Sequence, residues 1–593
     1  MFTAEKAAVH DRISDFCQAH GLPQPTLTWS QIPFSGEWGI ATSLFQLASQ
    51  EAKASGAAGG QKINVPQRAA ELAEQLAAQL QDTPGFSRIE AVKGYLNLYF
   101  STADFAARVL GAVSQQGNRY GWGEPKQQRV MLEFSQPNTH KAFHVGHLRN
   151  MILGASLANI LEAAGYEMVR ANYIGDYGKD VMKWMWNYSK RHAGEQPPAK
   201  DVTRWMGDLY SESSRELEAD PNGEAEIREL FSKWEAEDKT VYDLWLLTRQ
   251  WSLDGFNEIY EQMGIRFDRI YFESEMERLC KPIIDDLIAR KIAVDERAEG
   301  GTVVVKLDEL LGLQEKYRVL VLLRSDGTSL YGAWDLALAL TKFKDYDLHQ
   351  SIYVVDVRQS LHFTQVFKTM ELAGYEELMK KVLHLPYEVV NLPGNVIISS
   401  REGVVVLLEE LIGQATERAA AIVAEKNPEL DEATRLTVAQ QVGLAAIKYP
   451  MLARETTKIA TFDWEAALDF NGQAAPYIQY AYVRANSILR RAATAVQAAQ
   501  PPQHELQPSE VELIELISRL PEAIQRAASE HKTLHITNLT YELAKGFNDF
   551  YNQCPVLQAE EPQRSFRLAL VAAARQAMAN GLALLGIDAP EVM

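Results

Sequence analysis

The sequence predicts an α/β protein built around a parallel β-sheet of the Rossmann type. Residues 130–174 give the first observation, because two short apolar runs flank a segment of helical periodicity that ends at Gly165. A strand, a helix and a second strand in that order build a parallel sheet. Two further observations extend the prediction. An apolar run at 352–356 ends in polar residues, and helical patterns fill the chain after Gly403.

The composition is that of a folded protein with more than one domain. The 593 residues exceed what one core organises, and 47% hydrophobic with 23% charged residues is ordinary for globular domains. The cysteines Cys17, Cys280 and Cys554 form no CxxC pair, which argues against a disulfide framework and fits a reducing cytoplasm. We expect no signal peptide and no membrane span. The net charge of −19 argues against a general affinity for nucleic acids but leaves room for a local basic surface.

Two histidines stand where the first predicted strand gives way to the helix. His144 and His147 are three residues apart, so they project to the same side of the first helical turn. Gly146 between them leaves space for a flat ligand against the backbone. The N-terminus of a helix also favours phosphate. This combination predicts a nucleotide site at the start of the helix.

The histidines also allow two other interpretations. His140, His144 and His147 have the spacing i, i+4 and i+7, which would place three zinc ligands on one helical face. Against zinc, Pro137 and the polar residues after it start the helix near His144 and leave His140 outside it. No cysteine or Glu-x-x-His pattern accompanies them. In the simplest interpretation, the histidines only cap a core helix.

The residues around these histidines resemble a known signature. The tetrapeptide His-Val-Gly-His at 144–147 is similar to the HIGH motif of class I aminoacyl-tRNA synthetases, and the string 133–150 resembles arginyl-tRNA synthetases in particular. The resemblance runs in order along nearly the whole chain and is weakest at 184–298. The signature region consists of Pro137, Asn138, Thr139, His140, Lys141, Ala142, Phe143, His144, Val145, Gly146 and His147.

The resemblance implies an arginine–tRNA ligase that uses ATP to form arginyl-adenylate and then charges the 3′ end of tRNA. His144 and His147 would be catalytic and would stabilise the α-phosphate in the transition state. Mg²⁺ would accompany ATP as a substrate, with no metal ligand assigned in the protein and no tightly bound cofactor. The implied ATP-binding residues are Gly146, His144, His147, His362, Ser399 and Ser400.

The second class I signature departs from the common pattern. Residues 398–403 read Ile-Ser-Ser-Arg-Glu-Gly, and Glu402 replaces a lysine that usually stabilises the leaving pyrophosphate. A carboxylate repels phosphate at that place. Lys141 occupies a position at which unusual members of the family carry a compensating lysine. Lys141 and Arg401 are therefore predicted to neutralise the departing charge.

A second polar cluster follows between residues 326 and 362. Tyr331 and Asp335 share one face of a predicted helix, and a carboxylate beside an aromatic ring suits a guanidinium. By itself, Asp335 is also consistent with a charge that only stabilises a helix end. The resemblance places Asp335 on the guanidinium of the substrate. The implied arginine-binding residues are Glu133, Asn138, Tyr331, Asp335 and Gln359.

Composition and resemblance together divide the chain into four segments. Residues 1–115 are predicted to be an α+β N-terminal domain that contacts tRNA. Residues 126–405 are the predicted catalytic domain, with a helical insertion at about 184–298 whose aromatic residues form a core. A helical linker at 406–460 leads to an all-α anticodon-binding domain at 461–593. The predicted tRNA contacts, which a solvated charged face explains equally well, are Tyr477, Gln479, Tyr480, Arg484 and Arg491.

The predicted partners are tRNA(Arg), L-arginine and ATP. The protein is expected to be a cytoplasmic monomer without a membrane or DNA partner. Two other functions fit part of the sequence. Another nucleotidyltransferase of the HIGH type would not need the helical C-terminal region or the arginine-binding set. A catalytically inactive, tRNA-binding relative is suggested by Glu402.

Overall fold

The structure is a computed structural model, and it describes residues 3–32, 37–57, 63–143, 145–392, 396–397, 407–492 and 500–593. The chain forms two compact units. The first comprises Met1–Tyr120, Ala485–Glu522 and Gly546–Ala577, and the second comprises Gly121–Arg484, Ala523–Lys545 and Met578–Met593. These units differ from the four segments predicted from the sequence, which remain a proposal about domain organisation.

The N-terminal part of the first unit is an antiparallel sheet with four helices, as the predicted α+β class requires. Its strands are β1 (Trp29–Ile32), β2 (Trp38–Ser43), β3 (Arg88–Val92) and β4 (Tyr95–Phe100), paired in the order β1-β2-β4-β3. Its helices are α1 (Thr3–Ala19), α2 (Phe45–Ala57), α3 (Val65–Leu80) and α4 (Thr102–Gln116). Helix α3 begins at Val65, because Asn64 caps it and a proline occupies the first turn.

The second unit contains the predicted parallel sheet. Between residues 121 and 389 its strands are β5 (Arg129–Glu133), β6 (Glu167–Ile174), β7 (Arg269–Phe272), β8 (Val294–Asp295), β9 (Val303–Lys306), β10 (Val319–Leu323), β11 (Gln350–Asp356) and β12 (Val382–Tyr387). Five of them form one sheet in the order β12-β11-β5-β6-β7. Every neighbouring pair in it is parallel. The prediction of a Rossmann-type core is confirmed.

Two strands differ from the sequence interpretation. Strand β7 joins the edge of the main sheet, although it lies in the range predicted to be a helical insertion. Strand β10 lies in the range predicted to be the catalytic domain, but it pairs antiparallel with β9 in a separate three-stranded sheet with β8. The physical reason is that β10 alternates between covered and exposed residues, whereas β11 is covered along most of its length. Alternation suits an antiparallel sheet with one solvated face.

Helices cover both this sheet and its insertion. They are α5 (Val145–Ala163), α6 (Lys179–Arg191), α7 (Val202–Ala219), α8 (Gly223–Glu235), α9 (Lys239–Met263), α10 (Glu273–Ala289), α11 (Leu307–Leu311), α12 (Tyr331–Asp345), α13 (Ser360–Leu372) and α14 (Glu376–Met379). Helix α5 confirms the predicted helix, and Gly165 follows its end with a φ of 101°. Helices α6 to α9 enclose an aromatic core that includes Trp184, Trp234, Trp245 and Trp251. The insertion aromatics are therefore core residues, as predicted.

The remainder of the chain is mainly helical. A small sheet contains β13 (Val390–Leu392), β14 (Val396–Ile397) and β15 (Ala460–Thr461). The helices are α15 (Leu408–Lys426), α16 (Glu432–Leu452), α17 (Trp464–Ala467), α18 (Ala475–Ala492), α19 (Pro508–Ser518), α20 (Leu520–Glu530), α21 (Leu534–Gln553) and α22 (Gln563–Leu584). Across the described ranges, no helix has the length and apolar character to cross a membrane.

Candidate active site

A cavity of about 730 Å³ opens at the carboxyl edge of the parallel sheet. Several of its wall residues end a strand or lie just after one. Glu133 ends β5, Gly175 follows β6 and Glu273 follows β7, while Gln359 lies just beyond β11 and Tyr387 ends β12. Ligands bind at this edge of open parallel sheets, because the strand ends and loops there point into a common space.

The structure brings most of the predicted substrate residues together in this wall. His144, Ser399, Ser400 and Arg401 lie outside the described residues, as does Glu402. Lys141 does not line the cavity. The predicted residues that do line it are Glu133, Asn138, Gly146, His147, Tyr331, Asp335, Gln359 and His362.

Asp335 and His362 form a polar pair in the wall. The Oδ2 atom of Asp335 lies 2.5 Å from Nε2 of His362. Tyr331 stands one helical turn before Asp335, and its ring meets the ring of His362 edge-on at 5.0 Å between centroids. Tyr331 is 59% exposed and therefore forms the rim of the cavity. The predicted helical face that joins Tyr331 to Asp335 is present in α12.

Glu273 is a cavity residue that the sequence reasoning missed. It begins α10 directly after β7. Burial, with added repulsion from Asp176 and Asp335, raises the pKa of Glu273 to about 8. The available signal was an acid directly after the short apolar run at 270–272. Because residues 184–298 were assigned to a helical insertion, Glu273 was not considered as a cavity residue.

Asp176 is a buried carboxylate near Glu273 that does not itself line the cavity. It is fully buried, and its carboxylate accepts hydrogen bonds from Arg249 at 2.9 Å and from the Ser274 hydroxyl at 2.7 Å. Burial raises the pKa of Asp176, and the bonds to Ser274 and Arg249 oppose that rise. The nearby Tyr173 lines the cavity, and its buried hydroxyl has no hydrogen-bond partner among the described residues.

Glu133 forms the floor of the cavity. It is 2% exposed and makes an ion pair with Lys342, which is completely buried. The Gln136 amide donates to the Oε1 atom of Glu133 at 2.7 Å. The Lys342 ammonium also lies 3.5 Å from the ring centre of Tyr353. Burial lowers the pKa of Lys342, and Glu133 opposes that shift. The charge of Glu133 is thus balanced within the protein.

The loop before α5 is tied to the end of β6. The Gly175 amide donates to the Pro137 carbonyl at 3.0 Å, and the Thr139 amide donates to the Gly175 carbonyl at 2.7 Å. A Cβ atom on Gly175 would lie 2.1 Å from Oδ1 of Asn138. Only glycine permits this close approach, so it fixes the position of the Asn138 side chain.

His140 lies outside α5, as predicted. Its φ is 61°, and its ring nitrogens contact the hydroxyls of Thr139 at 2.9 Å and Thr248 at 2.8 Å. Burial lowers the pKa of His140 to about 3, so the ring is neutral. His140 therefore supports the loop through protein hydrogen bonds.

Lys141 makes an ion pair with Asp180, and neither residue lines the cavity. Its Nζ atom lies 2.6 Å from Oδ2 of Asp180. The Tyr210 hydroxyl donates to the other oxygen of Asp180 at 3.1 Å, and Lys183 lies 3.6 Å from it. Lys141 is thus paired with Asp180, and its catalytic role remains a proposal.

Arg149 is a second residue that sequence reasoning did not single out. It lies in α5, is 1% exposed and lines the cavity. Its guanidinium donates to the carbonyl oxygens of Glu388 at 2.5 Å, Lys458 at 2.8 Å and Glu455 at 3.1 Å. These carbonyls flank β13 and β15, so Arg149 joins the small sheet to the helix that carries His147. Its place in the signature string was the available signal.

Gln479 requires a correction among the predicted tRNA contacts. It is fully buried, and its amide donates to the Asp588 carbonyl at 2.8 Å. The side chain is buried and its NH2 group is held by the main chain, so Gln479 does not form part of an RNA-binding surface.

The other predicted tRNA contacts are at least partly accessible. Tyr477, Tyr480 and Arg484 are half-buried in the second unit, and the Arg484 guanidinium lies 5.0 Å from the ring centre of Tyr480. Arg491 is exposed in the first unit. An arginine stacked on an aromatic ring is typical of surfaces that bind single-stranded nucleic acids.

Residues 109–464 match the family described as "tRNA synthetases class I (R), catalytic domain", and residues 478–593 match the DALR anticodon binding domain. The chain belongs to the arginyl-tRNA synthetase family. Membership in this class I family makes ATP a substrate of the catalytic domain and confirms the resemblance seen in the sequence.

Relatives of this arginyl-tRNA synthetase family member cover most of its length. The arginine–tRNA ligase of Clostridium perfringens is 35% identical over 533 residues, which is 88% of this chain and 90% of that protein. The arginine–tRNA ligase of Bdellovibrio bacteriovorus is 34% identical, with 88% and 89% covered. The arginyl-tRNA synthetase structure from Thermus thermophilus has a TM-score of 0.78 at 29% identity and covers 99% of this chain and 100% of that one.

Proposed function

We propose that this member of the arginyl-tRNA synthetase family is an arginine–tRNA ligase. It joins L-arginine to the α-phosphate of ATP and then transfers the arginyl group to the 3′ end of tRNA(Arg). The observation that carries the proposal is the acid-lined cavity at the sheet edge. Glu273, Asp335 and Asp356 lie in its wall beside the phenols of Tyr173 and Tyr331.

The paired carboxylates of Glu273 and Asp335 suit a guanidinium. Burial, with added repulsion from Asp176 and Asp335, raises the pKa of Glu273. A cation placed between them relieves this repulsion. The planar fork of arginine can donate to two carboxylates at once, whereas an ammonium acts as a single point charge. The wall therefore favours arginine over lysine.

The start of α5 is the proposed ATP end of the cavity. Gly146 and His147 lie there, and the dipole of a helix N-terminus favours phosphate. The carboxylate of arginine attacks the α-phosphorus, a C–O–P bond forms, and the P–O–P bond breaks to release pyrophosphate. We assign His144 and His147 to the α-phosphate, and Lys141 and Arg401 to the departing pyrophosphate. The protein's contribution is positioning and electrostatic stabilisation.

We infer that Mg²⁺ enters with the ATP phosphates, since this ion keeps much of its water and needs few protein ligands. In the described ranges of the chain, no group of three or more His, Cys, Asp and Glu residues is arranged to hold a metal. We further propose that the enzyme works as a monomer in the cytoplasm, where ATP and tRNA are available. The helical C-terminal region would bind tRNA, and no DNA partner is proposed.

The direct test is arginine-dependent exchange between ATP and pyrophosphate, measured with and without tRNA(Arg). We expect exchange with arginine and at least about a hundredfold less with lysine or citrulline, because neither supplies a charged fork. Absence of exchange together with retained tRNA binding would identify an inactive relative. Exchange with a different amino acid would contradict the arginine assignment.

Asp335→Asn tests the arginine contact within the cavity. We expect the KM for arginine to rise about 10- to 100-fold, because a hydrogen bond to a charged group contributes about 1.5–3 kcal/mol. The KM for ATP should change little. Asp345→Asn is the matched control, since Asp345 ends the same helix and contacts Tyr271 and Arg269 outside the cavity wall. Equal effects of the two variants on the KM for arginine would count against the assignment.

A further inference from the structure

Lys448 is a buried cation that lies outside the cavity wall. It belongs to α16 and is 7% exposed. Its Nζ atom donates to the Met263 carbonyl at 2.7 Å and to the Gly586 carbonyl at 2.6 Å. Burial lowers the pKa of Lys448 to about 8, and Asp588 opposes this shift.

Both carbonyl groups stand at helix C-termini. Met263 is the last residue of α9, and Gly264 after it adopts a left-handed φ of 66°. Gly586 follows the last turn of α22 with the same φ. The final carbonyls of a helix lack intrahelical partners and carry the negative end of its dipole. Lys448 thus joins the end of α9 to the end of α22 by charge-assisted hydrogen bonds.

Helix α9 holds the loop that precedes α5. The Tyr260 hydroxyl lies 2.7 Å from the Ser135 hydroxyl, and the Ser252 hydroxyl accepts from the His140 amide at 3.0 Å. Thr248 contacts the His140 ring at 2.8 Å. Asn138, a residue of the cavity wall, lies between Ser135 and His140 in the sequence. These bonds therefore hold the loop on both sides of Asn138.

The same helix also holds the loop that follows β6. The Trp245 indole donates to the Asp176 carbonyl at 2.9 Å, and Arg249 pairs with the Asp176 carboxylate at the same distance. Asp176 directly follows Gly175 of the wall. Both loops at the centre of the cavity are therefore attached to α9.

The end of α22 is attached to α5 as well. The Ser156 hydroxyl donates to the Leu584 carbonyl at 3.1 Å, and the Asn159 amide donates to the Ala583 carbonyl at 3.4 Å. Helix α22 belongs to the segment that matches the DALR anticodon binding domain. Side chains of α5 and α16 thus donate hydrogen bonds to the carbonyl groups at the end of α22.

We propose that Lys448 is a positioning residue for arginine activation: it fixes the C-terminal end of α9 to the end of α22, and α9 in turn positions the loops at 135–140 and 175–176. The inference rests on the proposed function and deepens it. Lys448 is absent from the cavity wall and acts only through α9, which at 25 residues is a rod about 37 Å long. The position of the end of α22 thereby influences the arginine-binding cavity.

Lys448→Gln removes the charge and weakens the double contact. We expect the KM for arginine in ATP–pyrophosphate exchange to rise at least about fivefold, and amide hydrogen exchange at 135–140 to become faster. Thr533→Val is the matched control. The Thr533 hydroxyl donates at 2.9 Å to the carbonyl of Leu452, which belongs to α16 as Lys448 does. That variant should lose thermal stability while its KM and its exchange at 135–140 stay within twofold of wild type.

A double-variant experiment separates positioning from general destabilisation. Thr248 and Met263 are 15 residues apart in α9, or about 22 Å along the axis. Changes at such a distance are normally additive. We expect Lys448→Gln combined with Thr248→Val to raise the KM no more than twofold beyond the more severe single variant. Fully multiplicative effects, or equal effects of Lys448→Gln and Thr533→Val, would overturn the proposal.

Two further measurements keep the outcomes distinct. If Lys448→Gln does not fold, Lys448→Arg, which retains the charge, is measured instead. Its amide hydrogen exchange at 135–140 should be faster than that of Thr533→Val. The wild-type protein is assayed in parallel. If the wild-type protein shows no arginine-dependent ATP–pyrophosphate exchange, the proposed function is contradicted. If amide hydrogen exchange at 135–140 is unchanged in both Lys448 variants, only the positioning role is refuted.

Discussion

At the scale of single residues, Glu273 is a cavity carboxyl group that is costly to ionise. Burial and neighbouring carboxylates raise the pKa of Glu273 from its usual 4.5 to about 8. Between these two values the folded protein binds more protons than the unfolded chain. Ionising Glu273 therefore costs folding free energy that grows as the pH rises through this window and is constant above it. A bound guanidinium would offset this cost.

This linkage predicts that arginine affinity rises with pH. A guanidinium lowers the pKa of Glu273, so binding releases protons at pH values between the lowered pKa and about 8. We expect the affinity to increase from pH 6.5 to 8 and then level off. Calorimetric titration in buffers of different ionisation enthalpy measures the released protons. Glu273→Gln should bind arginine more weakly and without this pH dependence, and a persistent dependence would assign the titration to another group.

Lys141 supplies a second prediction at this scale. We expect Lys141→Ala to lower ATP–pyrophosphate exchange at least about tenfold, because one donor to transition-state charge is lost. Asp180→Asn should retain activity within about threefold, since the lysine has to leave Asp180 to reach a phosphate. Lys179→Ala, which removes an exposed partner of Glu224, is the control. Wild-type exchange in Lys141→Ala would show that the lysine only stabilises the loop.

The sequence identified cavity residues where spacing or a motif marked them. Tyr331 and Asp335 are one helical turn apart, and Asn138 and His147 lie in a recognisable signature. Glu273 was missed because its importance depends on β7 joining the main sheet, which pairing across about 100 residues decides. Gln479 was misplaced because its helix also carries accessible aromatic residues, and only the packing of the C-terminal segment shows which face is buried.

At the scale of elements, the cavity depends on how closely β6 approaches the loop before α5. Gly175→Ala would place a methyl carbon 2.1 Å from the Asn138 amide and 3.2 Å from the Glu273 carboxylate. We expect at least about a hundredfold loss of exchange activity, because misplacing a binding group by about 1 Å has effects of that size. Melting temperature and exchange activity, measured together, separate misplacement from unfolding.

Gly413→Ala is the control for that substitution. Gly413 lies in α15 with no atom within 4 Å of the added carbon. Its replacement should leave activity unchanged and stabilise the protein by about 0.5–1 kcal/mol, because alanine costs less conformational entropy in a helix. Similar activity losses in the two variants would mean that Gly175 has no special positional role.

The strands illustrate what local sequence can and cannot decide. Apolar runs predicted β5, β6 and β11 within a residue or two, because each is covered on both faces. The run that forms β10 has similar residues, yet it belongs to another sheet. The difference arises from the partners available in the folded chain, which local pattern does not contain.

At the scale of the whole molecule, the net charge of −19 means that tRNA binding must rely on local basic groups. We expect Arg491→Ala to weaken tRNA(Arg) binding and to reduce the slope of log Kd against log salt by about one. The control is Arg278→Ala, since Arg278 lies in the insertion beside Glu237. Binding measured over several salt concentrations checks the slope, and an unchanged slope would exclude Arg491 from the phosphate contacts.

The ion pair between Glu133 and Lys342 limits how this cavity can evolve. Replacing either residue alone leaves a buried charge without its partner, which costs about 3–5 kcal/mol. That loss is a large part of the stability of most proteins. Single-step mutational routes through either position are therefore closed. In diverging lineages the two positions are expected to change together or not at all.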